Sequence, residues 1–294
     1  MMGVILALAS SVMWGSSDFA AGLASRRADV LRVTAIAYVA ASAVAMLWLV
    51  VFPGQWSAQA VWAGIFGGVF TVVGFLAFYL SLVRGAMGVA TAIVGASESV
   101  VPVVAAVLWR EQSLSALAWV GVVAAVLGAI LVGLAEPGGS KRSAWWSVGL
   151  SISAGVSFGL AVVALDAAPK DSGMVAPAVE MFVGLVVMPL LVAMVVVMPR
   201  MRRVGERVGL VTDTPMSAGS RWIAVAAGAC FGAANLVLML AILAGPLAAV
   251  GVVVSLYPVT TILLARILLK EKLVKLQVAG IVAALTGCVL LGVG

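Results

Sequence analysis

Apolar runs of around twenty residues, separated by short clusters of charge, glycine and proline, recur along the whole of this chain. That length lets an α-helix cross the hydrocarbon of a bilayer. The composition requires such a solvent: 64% of the 294 residues are hydrophobic and 10% are charged, with mean hydropathy +1.25, against roughly 25% charged residues in soluble domains. The runs fall near 2 to 23, 30 to 52, 61 to 83, 86 to 108 and 115 to 135, then near 145 to 166, 173 to 198, 221 to 244, 246 to 269 and 275 to 293. The fold class expected is therefore all-α integral membrane, with ten transmembrane helices in two sets of five. The first run lacks a preceding basic residue, continues to about Leu23 and contains Asp18, so it reads as a first span rather than a signal peptide.

The two sets are related. Residues 62 to 111 laid over 222 to 271 at a constant offset bring Trp62, Gly68, Gly85 and Glu111 onto Trp222, Gly228, Gly245 and Glu271. Trp14-Gly15 over Phe158-Gly159 extends the match to the first helices. Five helices is an odd number, so the second copy enters the membrane from the opposite side, which makes an inverted repeat. Residues 1-135 are read as the first five-helix repeat, 136-144 as a linker around Glu136-Pro-Gly-Gly-Ser-Lys-Arg142, and 145-294 as the second repeat. Loop charge gives an independent test. Assigned to alternate loops, every Lys and Arg except Arg110 and Lys170 falls on one side. By the positive-inside rule that side is cytoplasmic, so the expected location is the plasma (inner) membrane, multi-pass, with both termini on the non-cytoplasmic side. The longest loop, about 199 to 220, reads as a solvated or headgroup-facing basic turn.

Several chemistries are excluded. The chain contains no histidine, which removes Ser-His catalysis and the commonest metal ligand. Cys230 and Cys288 lie inside apolar runs without metal-like spacing and read as packing residues, so no metal and no cofactor is expected. The net charge of +6 reads as membrane topology rather than nucleic-acid binding. No Gly-x-x-x-x-Gly-Lys-Ser/Thr loop is present, so any transport must draw on a gradient.

Trp14-Gly-Ser-Ser-Asp18 in the first helix, Glu111 closing the fourth, and Ser255-Leu-Tyr-Pro-Val-Thr-Thr-Ile-Leu-Leu-Ala-Arg-Ile-Leu-Leu-Lys-Glu-Lys272 in the ninth resemble the drug/metabolite transporter superfamily, EamA-type. The resemblance implies an inverted-repeat bundle around a central cavity, moving small metabolites such as amino acids, often outward. The chain departs from strict symmetry at one point: Pro258 aligns with Glu98, and the first half carries Pro102 one turn later.

An ionisable side chain near the bilayer centre costs roughly 2.5 to 3.5 kcal/mol on insertion scales, so each one needs a reason. Glu98 lies mid-span, and Pro102 frees its backbone carbonyl; it reads either as a cavity carboxylate that binds a proton or a substrate amine, or as a neutral group bonded between helices. Asp18 follows Gly15, Ser16 and Ser17, small residues that admit a neighbouring helix or a solute; its alternative is a pair with Arg26 or Arg27. Glu180, in the seventh span, is a third candidate, its alternative being a partner for a loop arginine. Asn235 either joins helices or touches substrate, and Trp14, Tyr79 and Tyr257 complete the substrate or proton-coupling candidates. Pro102 and Pro258 are helix-kink candidates, and Glu271 reads as a charged cap or ion pair. The Gly64/Gly68, Gly155/Gly159 and Gly228/Gly232 pairs read as close-packing surfaces. The function expected is a secondary transporter of amino acids or similar amphipathic solutes, an exporter working by alternating access with proton coupling. The alternatives are an uncoupled facilitative exchanger, a membrane scaffold and an intramembrane enzyme. The partners expected are a small-molecule substrate and the lipid bilayer, with no nucleic acid; the oligomeric state is left open.

Overall fold

The structure is a computed structural model that describes residues 2–110, 115–134, 141–212, 215–244, 253–254 and 256–293. Among them every regular element is helical. The helices α1 (Met2–Ser25), α2 (Val30–Val51), α3 (Ala58–Arg84), α4 (Met87–Arg110) and α5 (Ala116–Leu134) come first. Then follow α6 (Lys141–Asp166), a 3₁₀ turn at Lys170–Ser172, α7 (Val175–Val197), α8 (Pro199–Val208), α9 (Ala218–Ala244), α10 (Tyr257–Leu268) and α11 (Lys275–Val293). Of these, α1, α2, α3, α6, α7 and α9 are long and apolar enough to cross a bilayer, and α4, α5, α10 and α11 are further apolar helices. Glu111, Gly245 and Ser255, used in the sequence comparison, lie outside the described residues, as does most of the amino-terminal half of the ninth expected span.

Two expectations need correction, while residues 141–144 of the expected linker are helical and continue into α6. The basic stretch after residue 198 is a helix rather than a turn: Pro199 starts α8, where a missing N–H costs nothing, and Gly209 ends it at φ 84°. The ninth span is interrupted, because a turn at Leu256 precedes α10 and Pro258 stands in the first turn of that helix.

Outward faces carry the large apolar side chains, among them Val39, Val50, Phe66, Val186 and Ile267, each more than half exposed. Ala7, Ala21, Ala24, Ala60, Ala154 and Ala234 are fully buried. Lipid tails are as apolar as Leu, so burying large side chains gains little, and small ones let the helices approach. Neighbouring helices pair: α1 lies along α9 and α3 along α6, α2 packs on α9 and α7, and α3 also packs on α7. The helix α4 rests on α6, α1 meets α10, and α5 with α11 form a pair that touches the remainder mainly through α4.

Glycines make these contacts possible. A Cβ on Gly68 would lie 2.5 Å from Val183 Cβ of α7, and one on Gly155 would lie 2.5 Å from the Val94 carbonyl oxygen of α4. Gly228 faces the Ala37 backbone of α2, and Gly232 faces Ala41 and Val44. Between helices, the Ser10 hydroxyl donates to Ala234 O at 2.8 Å, Ser17 to Ala227 O at 2.8 Å, and Thr261 to Gly15 O at 2.8 Å. Each such bond contributes on the order of 0.6 kcal/mol in a membrane setting. Trp56, Trp62, Trp119, Trp145, Trp146 and Trp222 are exposed near helix ends, the position that indoles favour at the lipid–water interface.

Gly228→Val is expected to lower stability by about 1–3 kcal/mol or to prevent folding, because the added atoms meet the α2 backbone. Gly149→Ala, at a glycine of α6 with open space around it, is expected to leave the unfolding temperature unchanged or slightly raised. Thermal unfolding of the two purified variants in detergent checks the contrast.

Candidate functional site

Six of the seven substrate candidates line one cavity of about 120 Å³ within the bundle: Trp14, Asp18, Glu98, Glu180, Asn235 and Tyr257. Its volume suffices for several waters or the head of a small solute. Asp18 is 7% exposed, and among the described residues no hydrogen bond or ion pair engages its carboxylate. The pairing with Arg26 does not form, since Arg26 reaches Glu271 at 3.2 Å instead. Glu98 accepts a hydrogen bond from the Tyr257 hydroxyl at 2.8 Å, so α4 and α10 are joined across the cavity. Glu180, also 7% exposed, accepts from the Thr71 hydroxyl at 2.5 Å and not from a loop arginine. Asn235 donates from Nδ2 to Phe231 O within its own helix at 2.9 Å while facing the cavity. The three carboxylates are spread around the walls: among the described residues no three His, Cys, Asp or Glu side chains converge to hold a metal ion.

Aromatic rings form the rest of the lining. Trp14 and Tyr257 meet edge to face at 5.9 Å between centroids. Phe75 meets Phe158 at 5.0 Å and Phe231 at 5.1 Å. The Trp14 indole N–H is buried without a hydrogen-bond partner among the described residues. Tyr79 stands apart from the other six: it packs against Phe75 at 5.2 Å and borders a smaller adjoining pocket with Tyr38 and Ser17, not the main cavity. Sequence reasoning missed Thr71 and the Phe75, Phe158 and Phe231 cluster as lining residues, because a Thr or Phe in an apolar run carries no signal of which way it faces. Pro102 stands inside α4 and the helix continues through it; the Glu98 carbonyl freed there faces Gly159 of α6. A larger groove between α4, α5 and α6 is lined by apolar side chains and Ser97, and offers no charged group to a solute.

At one end of the bundle the helices are tied by charge. Arg26 donates to Leu82 O and Gly85 O, each at 2.8 Å, and to Glu271. Lys270 takes φ 54° at the end of α10, and the next residue, Glu271, accepts from the backbone N–H groups of Met87 at 3.0 Å and Gly88 at 3.3 Å. It therefore caps α4 as well as pairing with Arg26, which bears out the cap and ion-pair reading. Nearby, Arg84 donates to Val208 O, and the Thr212 N–H donates to Asp29 at 2.9 Å. At the other end, the Gln59 amide donates to Ala167 O at 2.8 Å and the Gln55 N–H to Asp171 O at 3.0 Å.

The model of the EamA-like transporter family matches residues 1–134 and 145–293. The chain belongs to the EamA-like transporter family. It is thus a multi-pass membrane protein of a family of transporters, as the motifs in its first and ninth helices implied. No curated protein matches it. A solved crystal structure, described only as that of a protein, is similar over 98% of this chain and 95% of its own, with TM-score 0.61 and 14% identity. At that identity the likeness shows the fold alone.

Glu271→Ala and Arg26→Met are each expected to cost about 1 kcal/mol or more of stability, because the first uncaps the N–H groups of α4 and the second frees the Leu82 and Gly85 carbonyls as well as the ion pair. Thermal unfolding of the two variants against the wild-type protein checks it.

Proposed function

We propose that this EamA-family chain is a secondary transporter that moves a small amphipathic solute through the Asp18, Glu98 and Glu180 cavity by alternating access. The observation that carries the proposal is the meeting of those carboxylates, from α1, α4 and α7, in one cavity of a bundle whose outer surface suits lipid. A carboxylate so placed is costly to keep charged, and a proton or a cationic solute entering the cavity supplies the missing counter-charge.

The two-half architecture, 1-135 and 145-294 about the 136-144 linker, is part of the proposal, and several features support it. The α1 and α9 pair has its counterpart in α6 and α3, and the α2 and α9 pair in α7 and α3. Gly15 approaches Thr261 of α10, and Gly159 approaches Val101 of α4, which are matched positions in the sequence alignment. Gly128 lies against Ala284, and Gly287 against Ala125. The family model itself matches in two stretches that correspond to these halves. Ten spans, with the basic end cytoplasmic and both termini outside in the plasma membrane, complete the topology proposed. The halves rock about the cavity, and the Arg26 to Glu271 tie must break for the basic end to open. Protons entering through Glu98 and Asp18 drive solute outward in this scheme.

In proteoliposomes, a metabolite panel assayed at two pH gradients is expected to reveal a solute whose flux follows the gradient. Combined Glu98→Gln and Asp18→Asn is expected to reduce that flux at least tenfold, while Glu206→Gln, on the exposed face of α8, leaves it unchanged. Flux indifferent to the gradient assigns facilitative exchange instead, and absence of flux for every solute removes transport.

A further inference from the structure

From the cavity's charge and aromatic lining we infer that its ligand is a monovalent organic cation with an apolar body, such as an alkyl or aryl ammonium, rather than an amino acid or an anion. The inference narrows the transport reading and rests on it for movement, though not for binding. Among the described residues, every charged side chain lining the cavity is acidic, Asp18, Glu98 and Glu180, with no Lys or Arg beside them. An amino acid would bring its carboxylate into a space that offers no cation to meet it, whereas an ammonium group finds acidic side chains on the walls around it. Glu98 and Glu180 are each held by one hydroxyl, from Tyr257 and Thr71. Asp18 is 7% exposed, faces the cavity and has no partner among the described residues, so one acidic side chain is already built in without its counter-charge.

The rings say what kind of cation fits. Cations are attracted to the faces of aromatic rings, Trp above all, and cages of such rings recognise ammonium groups that have few or no hydrogens to donate. Trp14 and Tyr257 stand beside Asp18 and Glu98 in the lining, and the Phe75, Phe158 and Phe231 cluster supplies an apolar wall. A bare metal cation is the wrong occupant, because the carboxylates do not converge on a point among the described residues. A bulky cation touches several walls at once.

The test uses the full-length protein purified in detergent and a ladder of benzyl probes of similar size: benzyltrimethylammonium, its neutral isostere neopentylbenzene, zwitterionic phenylalanine and anionic phenylacetate. Binding is read by ligand-induced thermal stabilisation and by competition with the labelled cation. The expected result is that benzyltrimethylammonium binds at least tenfold more tightly than each of the others, and that Asp18→Asn weakens it at least tenfold without lowering the unfolding temperature of the unliganded protein. If Asp18→Asn does not fold, Glu180→Gln and the wild-type ladder decide. Equal binding of the neutral isostere, tighter binding of phenylalanine, or an unaffected folded variant overturns the inference. Flux of amino acids in liposomes without cation binding also overturns it while leaving transport standing; cation binding without flux of any solute upholds it and removes transport.

Discussion

Backbone contact through glycine sets the positions of all three cavity carboxylates. Gly15 of α1 lies against Tyr257, Thr260 and Thr261 of α10, and Asp18 follows it by less than a turn. Gly155 and Gly159 of α6 press on the Glu98 N–H and carbonyl of α4, fixing the depth of that residue. Gly68 of α3 packs on the Glu180 carbonyl of α7, and Thr71, one turn on, reaches the Glu180 carboxylate. Without water to drive association, helices in lipid hold together by such close packing and by bonds between them. The same contacts that assemble the bundle therefore aim its polar groups.

A paired scaffold carries an unpaired lining. In the two-half architecture proposed, Trp14 corresponds to Phe158, Asp18 to Val162, Thr71 to Phe231 and Phe75 to Asn235, and all eight border the same cavity. Packing positions are shared between the halves, since Gly15 and Gly159 serve alike, but lining positions differ in chemistry. Helix contacts demand small residues on both sides, while the cavity presents acidic side chains and aromatic rings from different helices. Repetition can build the bundle, and divergence at lining positions can choose what enters it.

The end ties show how charge is used where water is near. Arg26 holds α1 to the α3–α4 turn and to Glu271, and Glu271 in turn lends its charge to the start of α4. Negative charge at a helix amino terminus complements the partial charges of its free N–H groups. Because one carboxylate serves both roles, any movement of α10 relative to α4 disturbs the ion pair and the cap together.

The amino-acid sequence by itself determined the membrane class, most helix positions to within a few residues, the family and the candidate carboxylates. Those signals are local or compositional: a run long enough to span, a glycine pair, a charge where charge is expensive. Asp18, Glu98 and Glu180 were legible because each is an exception within an apolar run. Tertiary structure alone decided that these acids share one cavity, that Tyr257 faces it and Tyr79 does not, and that Thr71 and three Phe rings complete it. It also decided that Arg26 belongs to Glu271 rather than to Asp18, and that the stretch after residue 198 is helical. In runs apolar on every side, hydrophobic periodicity does not tell an inward face from a lipid-facing one. The contacts between helices, through their glycines, make that choice.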